Sequence, residues 1–181
     1  MGTKLKHPRF GIGNSQEREV IRALGNVGVL KLDRAKSVFG SDTIQDLAQR
    51  GFIKKDHKCV NGKVQSYIHL LNRGQKYARR YLVFRSLYKR SSYQLSHDFA
   101  LSEKYLSLSR EERKSWMNDY AVKKLIDEKD PEAEPVDGAY RNEIGELVGV
   151  EVFTASYDSE TVSGKLDTLR TYFDRMATLN A

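Results

Sequence analysis

Two acidic residues, Asp137 and Glu151, lie in segments that read as neighbouring strands, and their types and spacing suit metal chemistry. Residues 136–141 and 147–154 carry strand-like apolar patterning and are joined around residues 142–146. Asp137 falls early in the first strand and Glu151 late in the second, so an antiparallel pairing would bring the carboxylates side by side. Alternation puts Gly149, Glu151 and Phe153 on one face and Val148, Val150 and Val152 on the other. The valines are expected to face the core, leaving Glu151 to point away from it, toward Asp137. Carboxylates held close repel unless a cation or a proton intervenes. A hard divalent cation, Mg²⁺ or Mn²⁺, would suit Asp137 and Glu151 as ligands, activate water and offset charge on a phosphodiester being cut. The plainer reading has Asp137 capping a turn with Gly138, with no metal.

The elements that would position this pair can be read around it. A helix with Phe99, Leu101, Tyr105 and Leu108 as its apolar residues precedes it. Ser109-Arg110-Glu111-Glu112 is a capping box, opening a helix expected to carry Trp116, Tyr120 and Ile126. Residues 127–135 form a charged, proline-bounded loop. Residues 160–179 read as a closing helix with Leu166, Leu169, Tyr172, Phe173 and Met176 apolar.

The first half has a different pattern. Asn14 or Ser15 can cap a helix with Val20, Ile21 and Leu24 on one face, stopped at Gly25. Asp33 is a candidate cap for a short second helix that Gly40 ends. The third helix, from Ser41 or Asp42, turns Ile44, Leu47 and Ala48 inward and Thr43, Gln45, Gln49 and Arg50 outward, where they could meet base edges or phosphates. A hairpin follows, with Asn61-Gly62 at its tip, and then a helix over residues 75–88. Three helices, a hairpin and a helix make the order of a winged helix-turn-helix. Lys54, Lys55, Lys58 and Lys63 on the wing would line the phosphate backbone, with Arg73, Lys76, Arg79, Arg80, Arg85, Lys89 and Arg90 after it.

Charge separates the halves. Residues 1–90 hold 20 Lys/Arg against 6 Asp/Glu, a net of +14, while residues 91–181 hold 11 against 18, a net of −7. A basic half of this strength is the footprint of binding to double-stranded DNA. The plainer alternative is a basic surface with no partner.

Residues 47–53 and 67–74 resemble the helix-to-wing and wing-to-helix junctions of regulator-type winged helices of phage and plasmid proteins. The second half resembles the PD-(D/E)xK, restriction-endonuclease-like superfamily through Pro135-Val136-Asp137-Gly138 and Val150-Glu151-Val152. More narrowly, His97-Asp98-Phe99-Ala100-Leu101-Ser102-Glu103, the Asp-Gly strand and the Val-Glu-Val strand look like the replication-relaxation family of plasmid and mobile-element proteins. These resemblances imply a winged helix over residues 1–90 and a nuclease-like α/β domain over 91–181. They also imply a catalytic site of Asp137, Glu151, Lys165 and Glu103, with His97 supporting it. One departure stands out: Phe153 occupies the place of the superfamily's lysine, so Lys165 would have to reach the site from the following helix.

The expected fold class is therefore α+β / α/β in two domains. Two functions follow: a metal-dependent DNA endonuclease or nickase, or a non-catalytic DNA-binding protein of replication, transfer or transcription. In the second, the acidic half would serve as a homodimerisation or partner module. The histidines and Cys59 lack zinc spacing, Cys59 reads as structural, and His57 and His69 in the wing are expected to face solvent or phosphate. Gly11-Ile12-Gly13-Asn14 is too short for a phosphate loop, so no nucleotide cofactor is expected. The apolar runs are too short to span a membrane, and the basic N-terminus lacks the apolar stretch of a secretory signal. A cytoplasmic location is expected.

Overall fold

A computed structural model describes residues 12–90 and 94–181. The fold is mixed α+β, with two sheets among the described residues. The expectations for Gly11 and the basic N-terminus fall outside the described residues.

In the first half, α1 (Ser15–Val27) is capped by Asn14, whose side chain accepts from the Glu17 backbone N–H. It does not stop at Gly25. Gly25 lies inside the helix because the Phe84 ring sits against it, where a Cβ would come within 2.8 Å of the ring. The helix ends instead at Gly28, whose φ of 74° is left-handed. A short strand, β1 (Val29–Lys31), leads into α2 (Leu32–Phe39). Asp33 lies in the first turn of α2 and is not its cap. Gly40 ends α2 and precedes α3 (Ser41–Gln49).

The hairpin forms as expected. Strands β2 (Ile53–Val60) and β3 (Lys63–Leu70) pair antiparallel, with Asn61 and Gly62 both at positive φ, as a two-residue turn of this twist requires. β1 adds to β3, giving the sheet order β1-β3-β2. The next helix, α4 (Asn72–Tyr81), is shorter than its pattern suggests. The chain turns out at Val83, the backbone N–H of Tyr88 donates to the Gly25 carbonyl, and Phe84 docks on α1. Arg85, Lys89 and Arg90 therefore lie on an irregular segment, not on a helix.

In the second half, α5 (Leu95–Ser107) and the capping box at Ser109 form as expected, with both reciprocal bonds made. The helix that follows is broken into three pieces: α6 (Arg110–Lys114), β4 (Met117–Asn118) and α7 (Asp119–Asp127). Trp116 is buried between them, edge-on to Tyr105 and stacked on Tyr140. Asn118 caps α7. The closing helix, α8 (Ser159–Tyr172), also stops early, and residues 175–180 form a strand, β7 (Arg175–Asn180). Ala177 and Leu179 alternate inward along β7, a period of two that outweighs the spacing of Phe173 and Met176. The sheet order is β4-β5-β6-β7, with β5 (Gly138–Arg141) antiparallel to β6 (Leu147–Phe153), and β7 parallel to β6.

Strand β6 is covered on both faces. Its valines join the main core, and Gly149 meets Leu169 of α8 and Phe173 just after it so closely that an added Cβ would come within 2.6 Å of Leu169. Glu151 is therefore fully buried under α8, where the sequence pattern placed it away from the core. The main apolar cluster runs from α1 and β3 through α5 to β6, so the two halves share a core. No helix of the described residues is long and apolar enough to cross a membrane.

Candidate functional site

The register of β5 on β6 sets Gly138 opposite Val150, which puts Asp137, one step before β5, beside Glu151. Each carboxylate binds the other strand's backbone. The Asp137 N–H donates to Glu151 Oε2 at 3.1 Å, and the Val152 N–H donates to Asp137 Oδ2 at 2.8 Å. These bonds extend the ladder past the end of β5 and fix both side chains. Gly138 allows this because the Trp116 ring lies where a Cβ would stand.

Two cations close the pair. Lys165, on α8, brings Nζ to 2.8 Å from Glu151 Oε1 and donates to the Pro135 carbonyl. Its contact with Glu151 is an ion pair at close range, and it favours the charged form of Glu151. His97, on α5, brings Nε2 to 3.0 Å from Asp137 Oδ2, while its Nδ1 is 3.5 Å from Asp98 Oδ1. Asp98 also accepts from the Tyr88 hydroxyl at 2.9 Å, so the chain Tyr88–Asp98–His97–Asp137 crosses from the first half to the carboxylates.

Burial acts on all of these groups. It disfavours the imidazolium of His97, but the hydrogen bonds to Asp137 and Asp98 and their charges outweigh it and raise His97 to about 9. Burial and the charge of Asp137 push Glu151 above the usual carboxylate range, against the pull of Lys165. Burial and the Asp98 charge push the Tyr88 phenol well up. Asp119 is raised by burial and by Asp137, with its own backbone hydrogen bond opposing, and its buried Oδ1 has no hydrogen-bond partner. Asp119 shares with Asp137, Lys165 and Lys89 a cleft of about 360 Å³, while Glu151 stays buried behind it.

Of the residues expected at the site, the fold brings together Asp137, Glu151, Lys165 and His97. Glu103 is not with them. Further along α5, its carboxylate faces another side and pairs with Arg34 at 2.9 Å and Lys31 at 3.5 Å. Phe153 is half-buried and edge-on to Tyr157, so no cation comes from that position. Asp98 and Asp119 were missed as site residues, although the apolar flanks of Asp98 on α5 signalled its burial.

As ligands for Mg²⁺ or Mn²⁺, Asp137 and Glu151 fit a partial shell. Both are hard oxygen donors, and magnesium is held by one or two carboxylates with water and phosphate completing its shell, but Lys165 already occupies Glu151 Oε1 and a metal there would have to displace it. No group of three or more His, Cys, Asp or Glu side chains among the described residues makes a full cage.

On the first half, Lys54, Lys55, Lys58 and Lys63 are exposed along the hairpin, and Lys76, Arg79 and Arg80 along α4. Lys54 pairs with Asp56. Gln45 and Gln49 are exposed on α3, while Thr43 is half-buried beside Gln16. Two expected DNA ligands are turned inward. Arg50 pairs with Glu17 and Asp46 and covers the Phe52 ring, and Arg73 donates to the Arg50 carbonyl and covers the same ring. They brace α3 against the hairpin. His57 is exposed, as expected, but His69 is buried. Cys59 is a free, exposed thiol.

Compared with family models, curated proteins and solved structures, the chain matches none.

Proposed function

We propose that the protein binds duplex DNA through its basic half and hydrolyses phosphodiesters at the Asp137–Glu151–Lys165 centre. In this reading the first half is a winged helix, with α3 in the major groove and the hairpin as its wing, and the second half is a nuclease domain of the PD-(D/E)xK kind. The observation that carries it is that Asp137 and Lys165 meet at one cleft and both contact Glu151, buried behind it, although Phe153 stands where the superfamily places its lysine. Convergence of a carboxylate pair and a relocated lysine is a demanding coincidence for a structural ion pair.

Asp137 and Glu151 would hold Mg²⁺ or Mn²⁺, which when bound polarises the phosphodiester and lowers the pKa of bound water. Lys165, on the cleft wall, offers positive charge to the phosphate. His97 is a positioning residue, fixing Asp137 from α5. The mobile-element setting follows from the replication-relaxation resemblance, and a cytoplasmic site of action goes with it.

A second reading has its own observation. Lys165 and His97 neutralise both carboxylates, which suits a domain that binds DNA without cutting it and uses its acidic half to dimerise or hold a partner. Incubating the full chain with supercoiled and linear DNA in Mg²⁺ or Mn²⁺, beside Asp137→Asn, separates the two. Nicking or linearisation that the variant loses supports the nuclease. Duplex binding with intact DNA under every condition leaves the non-catalytic reading.

A further inference from the structure

We propose that a second cleft, beside the carboxylate cleft, seats a phosphodiester of the DNA strand and so registers that strand on Asp137 and Lys165; this rests on the DNA-binding reading above. The cleft, of about 420 Å³, lies between α4 and residues 86–90. Gln75 and Arg79, one turn apart on α4, face it together with Lys89, Arg90, Ser86 and His69. Among the described residues no Asp or Glu lines it. Cations gathered without a carboxylate repel one another, and a phosphate, which guanidinium groups bind in a bidentate fashion, would relieve that repulsion.

The arrangement is built by packing. At Gly28 the left-handed backbone lets Tyr88 and Arg90 approach so closely that a Cβ would lie 2.8 Å from the Tyr88 ring and 3.1 Å from Arg90 Cβ. The Tyr88 N–H to Gly25 carbonyl bond holds the same segment. His69, 7% exposed, leaves Nε2 without a hydrogen bond, its contact with Asp56 being 3.8 Å long. Burial, with the charges of Arg90 and Lys54 adding to it, holds this imidazole below its usual pKa despite the bond to the Leu70 carbonyl and the charge of Asp56. An incoming anion would lift that penalty.

The position gives the cleft its role. Ser86, Leu87 and Lys89 line both this cleft and the one that opens on Asp137 and Lys165. A phosphate seated behind this shared wall holds the strand so that a neighbouring phosphate reaches Asp137 and Lys165.

Thermal shifts of the full chain at constant ionic strength test this, using inorganic phosphate and a dithymidine monophosphate whose only phosphate is a diester. Both should raise the melting temperature and compete with each other. Arg79→Gln/Arg90→Gln should weaken both by tenfold or more. Lys55→Ala/Lys63→Ala on the hairpin should leave both shifts in place while weakening duplex binding. The proposal is overturned if neither ligand shifts the wild type, if inorganic phosphate alone does, if the arginine variant keeps the shifts, or if the hairpin variant loses them. Duplex binding by the wild type is read separately, so loss of the DNA reading is told apart from loss of the cleft.

Discussion

Lys165 Nζ stands 2.8 Å from Glu151 Oε1, with Glu151 fully buried in β6 and Lys165 reaching it from α8. Removing one partner of a buried pair leaves the other charged and unsolvated, at about 3 kcal/mol. Lys165→Ala should therefore destabilise the protein by about that amount at pH 8. The loss should shrink near pH 5.5, where Glu151, its pKa pushed further up, takes a proton and becomes neutral. Denaturant unfolding at the two pH values checks this, and an equal loss at both would sink it.

His97 governs a different part of the pH profile. Its folded pKa of about 9 lies above the ordinary value of 6.5, so its contribution is fully present below 6.5 and is lost as pH rises toward 9. The loss should be on the order of 2 kcal/mol over that window. His97→Gln should flatten this part of the curve. A wild type whose unfolding midpoint does not fall between pH 6.5 and 9 would contradict the Asp98–His97–Asp137 arrangement.

Metal binding should appear as stability. A ligand that binds only the folded state stabilises it by mass action. Mn²⁺ is expected to raise the melting temperature of the full chain, and Glu151→Gln or Asp137→Asn to abolish the shift. Retention of the shift in both variants would place the metal elsewhere.

DNA binding should weaken steeply with salt, because phosphate contacts release counterions. Lys55→Ala/Lys63→Ala should weaken binding to every sequence alike and lower the log–log salt slope by about 2. Gln45→Ala or Gln49→Ala should change sequence preference. Arg50→Ala should act mainly on stability, since Arg50 is tied to Glu17 and Asp46. A change of preference with Arg50 and none with the glutamines would move the reading surface off the exposed face of α3.

Gly149→Ala tests how α8 sits on β6. The new methyl would meet Leu169 and Phe173, forcing the helix outward at a cost of about 1 to 3 kcal/mol. A neutral result in thermal denaturation would mean that α8 is not held where Lys165 needs it.

Sequence alone settled the features whose causes are local. Asn14 and Ser109 cap helices because their own side chains reach backbone three residues on, and Asn61-Gly62 turns a hairpin because of its own φ values. The basic half was legible in composition, and Asp137 beside Glu151 in the patterning of two short strands. Tertiary structure decided the rest, because each remaining feature depends on a partner distant in the chain. Phe84 makes Gly25 an interior helix residue and draws the segment after Tyr81 off the helical path. Pairing with β6 turns residues 175–180 into a strand. Glu17 claims Arg50, while Arg34 and Lys31 claim Glu103. Burial under α8 raises Glu151, and the crossing of α5 joins Asp98 and His97 to Asp137. Periodicity reports which face of a segment is apolar, whereas the partner that covers that face is set by packing alone.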